Sequence, residues 1–220
     1  MNKQILFSTQ MVKAIIDGNK RMTRRAMKPQ PVLDGEGMWH WKDCQWKDGG
    51  LGFPKSGIED YSPYKVGDVM WVRETWAEMP YGFVYRADEE EPEGWDPDDR
   101  WSPSIHMPKE AARLFLRVTG VQVERLQDMT EEDAEREGYT GCPFASADYS
   151  TVPPSPCFAG GHCPVPDAWY CNHSYPEQFA RDIWDPINAK RDGGSYSWDA
   201  NPWVWVYAFE KCEKPEDFGV

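Results

Sequence analysis

Short blocks of apolar and polar residues along the chain predict more strands than helices. Residues 4–7 predict a strand, and the apolar positions that follow Ser8 and Thr9 recur with a helical period until Gly18 ends the pattern. Alternating or continuous apolar runs predict further strands at residues 69–72, 82–87, 114–118, 121–126 and 203–210.

Two more segments have helical spacing. Thr130 can cap a short acidic helix that runs through Glu137 and stops at Gly138. Residues 177–188 place apolar side chains at helical intervals, although Pro186 should kink or end that helix. Strands therefore dominate, which predicts an α+β fold built as a small β-barrel or curled sheet with short flanking helices.

Two long segments interrupt this pattern. Residues 29–63 are rich in Pro, Gly and Trp, and residues 139–175 are rich in Pro, Gly and Cys. Neither holds a sustained period, so both are interpreted as long loop insertions. With 220 residues, of which 40% are hydrophobic, the chain is interpreted as one domain over 1–220 that carries both insertions.

The charge pattern singles out the beginning of the chain. The whole chain has a net charge of −13, whereas the first 28 residues carry seven Lys or Arg and one Asp. Residues 18–25 concentrate four of these cations. Two interpretations stay open, namely a site for a phosphate or another anion and a solvated strand edge that its charges keep from pairing with other chains.

Membrane insertion and secretion are not expected. No window reaches the roughly 20 apolar residues of a membrane span, and the N-terminus has no secretory pattern. We therefore expect a cytoplasmic protein. The acidic composition argues against a broad nucleic-acid coat but permits a small site for one nucleotide or a short strand.

The order of several segments resembles the ASCH superfamily, whose fold is similar to the PUA-like β-barrel. The matching segments are residues 18–25, 66–69, 130–138 and 203–210, and residues 71–76 and 104–108 extend the similarity to phage and prophage ASCH proteins. The resemblance covers about half the chain and leaves both insertions outside. It implies a PUA-like barrel and, for a phage-encoded chain, the cytoplasm of a host cell.

The resemblance also implies a function, since the family is thought to bind RNA or modified nucleosides. Small bacterial members hydrolyse the N4-acetyl group of acetylcytidine, and motif matching places their catalytic residues on Lys20, Thr23 and Glu137. This chain departs from them at Arg21, where a threonine is usual, and by the insertion after Gly138. We expect an amidohydrolase that acts on a nucleoside in a pocket at the barrel mouth.

Three alternatives stay open beside hydrolysis. Other relatives are described as ribonucleases, and a domain of this type can bind nucleic acid without turnover. An acidic phage protein can also bind a host factor through its negative surface.

The chemistry of amide hydrolysis sets conditions on these residues. It needs an activated nucleophile, a proton donor for the leaving amine and stabilisation of an oxyanion. Strict strand alternation would point Lys20 and Thr23 to opposite faces, so a joint site requires a bulge or turn. Glu137 ends a helix, where the dipole favours a protonated acid; the alternative is a surface charge paired with a lysine.

The remaining candidates would bind the ligand rather than react with it. They are Arg21, Arg24 and Arg25 for phosphate, and Trp71, Arg73, Glu74 and Trp76 for a base at the barrel mouth. Arg73 and Glu74 also fit a structural ion pair.

The cysteines allow a metal without requiring one. Cys157, Cys163 and Cys171 with His173 or His162 offer the ligands of a tetrahedral zinc site, although paired C-x-x-C spacing is missing. Free thiols in an aromatic-rich loop are the alternative. The expected hydrolysis requires no cofactor, so zinc would be structural.

Overall fold

Ten strands, four short α-helices and several short 3₁₀ or π-helical stretches form the described part of the chain. The structure, a computed structural model, describes residues 3–35, 38–41, 53–88, 92–96, 98–139 and 174–218. The strands are β1 (Lys3–Leu6), β2 (Met22–Ala26), β3 (Val32–Leu33), β4 (Met38–His40), β5 (Phe53–Pro54), β6 (Val69–Arg73), β7 (Trp76–Met79), β8 (Gly82–Tyr85), β9 (Phe115–Arg125) and β10 (Trp203–Cys212). The helices are α1 (Thr9–Ile16), α2 (Glu131–Arg136), α3 (Tyr175–Phe179) and α4 (Asp185–Asn188). The expectation of a mixed fold of strands with few helices is confirmed.

The strands form three sheets. The largest has five strands in the order β1-β6-β9-β10-β2, a second has the order β3-β4-β5, and β7 pairs with β8 alone. Strand β1 runs parallel to β6, with Lys3 opposite Met70, and β6 runs antiparallel to β9. Within the ranges that the structure describes, β1 and β2 are the edges of the large sheet, and no set of strands closes into a barrel.

One continuous strand replaces the two that the sequence predicted between residues 114 and 126. Strand β9 runs without interruption through Gly120. The glycine does not make a turn, and a Cβ there would lie 3.4 Å from the Cβ of Ala208. The prediction of two strands was wrong because Gly120 permits a close approach of β10 instead of breaking the strand.

Local signals set the ends of α1 and α2 as the sequence predicted. The Ser8 side chain accepts a hydrogen bond from the Met11 N–H at the start of α1, and Gly18 follows this helix with a φ of 77°. Thr130 and Asp133 form a reciprocal capping box at the start of α2. Gly138 then turns the chain with a φ of 85°.

The helical segment predicted at residues 177–188 is interrupted. A π-helical stretch, Ala180–Trp184, separates α3 from α4, and Pro186 lies in the first turn of α4. Because proline has no N–H to donate to the preceding turn, the regular helical ladder is lost just before it. Pro186 does not end the helix, since α4 continues to Asn188, and the departure from regular geometry lies in the π-helical stretch before it.

The chain divides into two compact units, each assembled from separate segments. Unit 1 comprises Met1–Thr23, Glu59–Gln122 and Tyr207–Val220, and unit 2 comprises Arg24–Ile58 and Val123–Val206. The main core of unit 1 is apolar, with members on β1, α1, β6, β9 and β10 such as Ile5, Val12, Val72, Leu116 and Phe209. In unit 2, Trp41 packs edge-on against Trp205 at 5.7 Å between ring centroids.

The two predicted insertions differ in how far the structure describes them. Within 29–63, the described residues form the small sheet β3-β4-β5 and a 3₁₀ helix, Lys55–Tyr61. Most of 139–175 lies outside the described residues. No helix in the described ranges is long and apolar enough to cross a bilayer.

Candidate functional site

Lys20 and Thr23 lie in unit 1 and are both buried, each exposing 2% of its surface. The Lys20 Nζ donates a hydrogen bond to the Met22 carbonyl oxygen at 2.9 Å and lies 5.6 Å from the Phe7 ring centroid. Met22, Thr23 and Arg24 are consecutive and all buried, so this part of β2 has no exposed face. Strand alternation therefore does not sort these residues into inner and outer positions.

The other two arginines of the basic segment are more accessible. Arg21 is exposed, and its Nε donates to the Gly18 carbonyl oxygen at 2.9 Å. Arg25 is half-buried. Arg21 is thus the cation of this segment that a solvent-borne phosphate reaches most easily.

Arg24 contacts three carboxylates in unit 2. Its Nε and Nη2 lie 2.8 and 2.7 Å from Glu124 Oε1. Nη2 also lies 3.2 Å from Asp133 Oδ2, and Nη1 lies 3.5 Å from Glu137 Oε1. One guanidinium therefore meets carboxylates from β9, α2 and the residue that caps α2.

The carboxylates outnumber the cation in this cluster. Burial raises the pKa of Glu124 above its ordinary value, the Arg24 guanidinium offsets part of that rise, and Asp133 and Asp128 add to it. In this cluster the protonated form of Glu124 is therefore favoured more than it would be in water.

Glu137 is 3% exposed and forms the C-cap of α2. The alternative of a surface charge is wrong, because the Glu137 side chain is buried and contacts Arg24. This contact helps to orient the Glu137 carboxylate.

The raised pKa of Glu124 gives a signed prediction. A carboxyl group with a higher pKa in the folded state stabilises the fold most below its unfolded pKa, and this stability is lost as pH rises through the folded pKa. The difference in unfolding free energy between wild type and Glu124→Gln should therefore fall as pH rises from about 4.5 and then level off. Urea unfolding at a series of pH values measures this difference. A difference that does not change with pH would contradict the raised pKa of Glu124.

Glu74 is almost fully buried, with 1% exposure, and pairs with Arg113 rather than with Arg73. The Arg113 Nε and Nη2 donate to the two carboxylate oxygens of Glu74, both at 2.9 Å. Arg113 also pairs with Asp88 and lies 3.9 Å from the Tyr85 ring centroid. The bidentate contact uses both oxygens of Glu74 within unit 1.

Sequence reasoning missed Arg113. It lies 39 positions from Glu74, between Ala112 and Leu114 just before β9, and no short-range motif marks it. Burial raises the pKa of Glu74, and Arg113 only partly offsets this. Burial alone would lower the pKa of Arg113, but the hydrogen bonds to Glu74 and Asp88 raise it above its ordinary value.

The stability of unit 1 should depend on this pair. Glu74→Ala should cost about 3–5 kcal/mol of unfolding free energy, since it leaves a partly buried guanidinium with one carboxylate fewer. Glu74→Gln should cost less, because the amide oxygen still accepts a hydrogen bond and carries no charge to desolvate. Denaturant unfolding measures both.

The matched control is Glu132→Ala, which removes the exposed i,i+4 pair with Arg136. It should change the unfolding free energy by less than about 0.5 kcal/mol. Equal losses of unfolding free energy in Glu74→Ala and Glu132→Ala would show that the Glu74–Arg113 pair stabilises the fold no more than an exposed ion pair does.

The aromatic candidates lie together in unit 1. Trp71, on β6, is buried, and Trp76, on β7, packs against the same apolar cluster. The Arg73 guanidinium lies 5.7 Å from the Trp71 ring centroid. Its Nη1 donates to Gln4 Oε1 at 2.9 Å, and its Nη2 donates to the Ile105 carbonyl oxygen.

The zinc prediction lies outside the described residues, since Cys157, Cys163, Cys171 and His173 all fall within 140–173. In the part of the chain that the structure describes, no three His, Cys, Asp or Glu side chains form a group that could hold a metal ion.

Comparison of the chain with protein-family models, with curated proteins and with solved structures found no match.

Proposed function

We propose that this chain is a PUA-like ASCH protein of phage or prophage type that binds RNA or a modified nucleoside and hydrolyses N4-acetylcytidine-type amides. Lys20, Thr23 and Glu137 are assigned the catalytic roles by resemblance to the small bacterial hydrolases. A cytoplasmic location, in the host cell for a phage-encoded chain, is part of the same proposal.

The observation that carries the proposal is the burial of all three assigned residues. Lys20, Thr23 and Glu137 expose 2%, 2% and 3% of their surface. Lysine and glutamate are among the residue types that are least often buried, because removing their charge from water is costly. Charged groups kept inside a fold at that cost are frequently functional. A solvated basic strand edge would not bury Lys20.

Each of the assigned residues has its own role in the proposed hydrolysis. A water oxygen forms a bond to the acetyl carbon, the bond from that carbon to N4 breaks, and acetate and cytidine leave. Lys20 takes the proton of the attacking oxygen, and Glu137 gives a proton to the departing amine. Thr23 orients the water, or its hydroxyl attacks first and forms an acetyl ester that water then hydrolyses to acetate and the free hydroxyl. Arg24 holds the Glu137 carboxylate in place.

Turnover of acetylcytidine tests the proposal. The wild-type protein should release cytidine, followed by mass spectrometry. Lys20→Met, which keeps the side-chain volume, and Glu137→Gln should each lower kcat by about 10²–10⁴-fold, the usual cost of losing a positioned acid or base. Thr23→Ala should be as harmful if the hydroxyl attacks, and mild if it only orients water.

Matched controls come from the same elements. Lys13→Met, on α1, and Glu135→Gln, on α2, remove exposed charges and should leave turnover unchanged. Wild-type rates in Lys20→Met would refute the catalytic assignment. If no cytidine forms at high protein concentration while RNA still binds, the non-catalytic module stands. Shortening of that RNA would identify a ribonuclease, and capture of host protein alone would identify an acidic binding protein.

A structural zinc ion is a separate proposal, which rests on the sequence alone. If Cys157, Cys163, Cys171 and His173 hold zinc, protein purified without chelator should contain about one metal ion per chain. Elemental analysis measures this, with the Cys163→Ser variant as the control that should lose the metal. A metal content near zero in the wild-type protein would favour free thiols.

A further inference from the structure

An aromatic slot in unit 1 is filled by a side chain from the turn that follows β10. Phe218 exposes 7% of its surface, and its N–H donates to the Pro215 carbonyl oxygen at 3.0 Å. Its ring centroid lies 4.7 Å from that of Phe115 and 6.0 Å from that of Trp71, in both cases with an edge-to-face arrangement. These side chains belong to one apolar cluster with Met107, Ala111 and Ala112.

Cations border this slot. The Lys109 Nζ lies 4.7 Å and the Lys214 Nζ 5.4 Å from the Phe218 ring centroid. The Arg73 guanidinium lies 5.7 Å from the Trp71 ring centroid. These cations would attract the negative charge of an anionic aromatic molecule.

Two donors beside the slot lack an acceptor. The Arg73 Nε and the Trp76 Nε1 are buried and make no hydrogen bond with any residue that the structure describes. Arg73 Nη1 and Nη2 donate to Gln4 and Ile105, whereas its Nε–H has no such acceptor. Burying a donor without a partner costs about 1–3 kcal/mol per group. An acceptor from a bound molecule would remove that cost at both positions.

We propose that this slot binds the base of a nucleotide and that Phe218 occupies the place of that base in the unliganded protein. The inference rests on the proposed function, because it names the surface that takes an unpaired base. The base replaces the Phe218 ring between Trp71 and Phe115, its acceptor atoms receive Arg73 Nε–H and Trp76 Nε1–H, and the phosphate meets Lys109 and Lys214.

The chemistry favours a nucleotide over other ring compounds. A simple hydrocarbon ring would leave both donors without partners, as Phe218 does. Every base has a flat face for stacking and ring or carbonyl acceptors at its edge. The lysines add the attraction for phosphate. Phe218 is therefore a competitor whose removal should strengthen binding.

Cytidine 5′-monophosphate is the probe, and calorimetric titration of the full chain is the measurement. Phe218→Ala should bind it about ten- to hundredfold more tightly than the wild type, the range that matches the burial of one large apolar side chain. Phe218→Leu is the matched control. Because leucine still fills much of the slot, this variant should gain less affinity for the nucleotide than Phe218→Ala does. Lys109→Gln with Lys214→Gln should weaken binding of the nucleotide but not of uncharged cytidine.

A second measurement uses the wild-type protein and does not depend on how the variants fold. In nuclear magnetic resonance spectra, saturating nucleotide should move the Trp76 indole N–H signal downfield as it gains an acceptor. Trp76→Phe identifies the signal. Binding that leaves this signal unmoved would overturn the proposal, and so would unchanged nucleotide affinity in folded Phe218→Ala.

These outcomes are separable from the catalytic proposal. If acetylcytidine turnover is absent while Phe218→Ala gains nucleotide affinity, the proposal of base binding in the slot is supported and the proposal of hydrolysis is refuted. If turnover proceeds and depends on Lys20 while Phe218→Ala gains no nucleotide affinity, the proposal of hydrolysis is supported and the proposal of base binding in the slot is refuted.

Discussion

A guanidinium inside unit 2 constrains much of what surrounds it. Arg24 exposes 4% of its surface, and a charge at that depth must be neutralised where it lies. Its partners come from β9 and from both ends of α2. Asp133 serves twice, because it also closes the capping box with Thr130. The end of β9, the start of α2 and the orientation of Glu137 are therefore linked through one side chain.

Much of the secondary structure could be predicted because its signals are local. Ser8 and Thr130 act on N–H groups three residues away, and Gly18 and Gly138 need only their own backbone freedom. Gly120 misled because a glycine in a strand signals either a turn or a close neighbour, and the neighbour lies on another strand. Sequence spacing alone cannot separate these two cases.

The candidate residues were found in the sequence, but their environments were not. Arg24 lies 113 positions from Glu137, and Glu74 lies 39 positions from Arg113. Such pairs leave no periodic trace, because they follow from how distant segments pack. Residues 20–25 look like a solvated polar strand in sequence, yet Lys20, Thr23 and Arg24 are buried. Burial of a polar residue is a tertiary property, and composition does not report it.

The division of β10 between the two units has a consequence for biosynthesis. Unit 2 needs residues up to Val206, and unit 1 needs Tyr207 onward. A chain that emerges from the ribosome N-terminus first therefore has neither set of segments complete until this strand has been made. During that time β9 and β2 lack the strand that lies between them in the large sheet, and exposed strand edges promote aggregation. Protection by a chaperone would matter most for this protein while it is being translated.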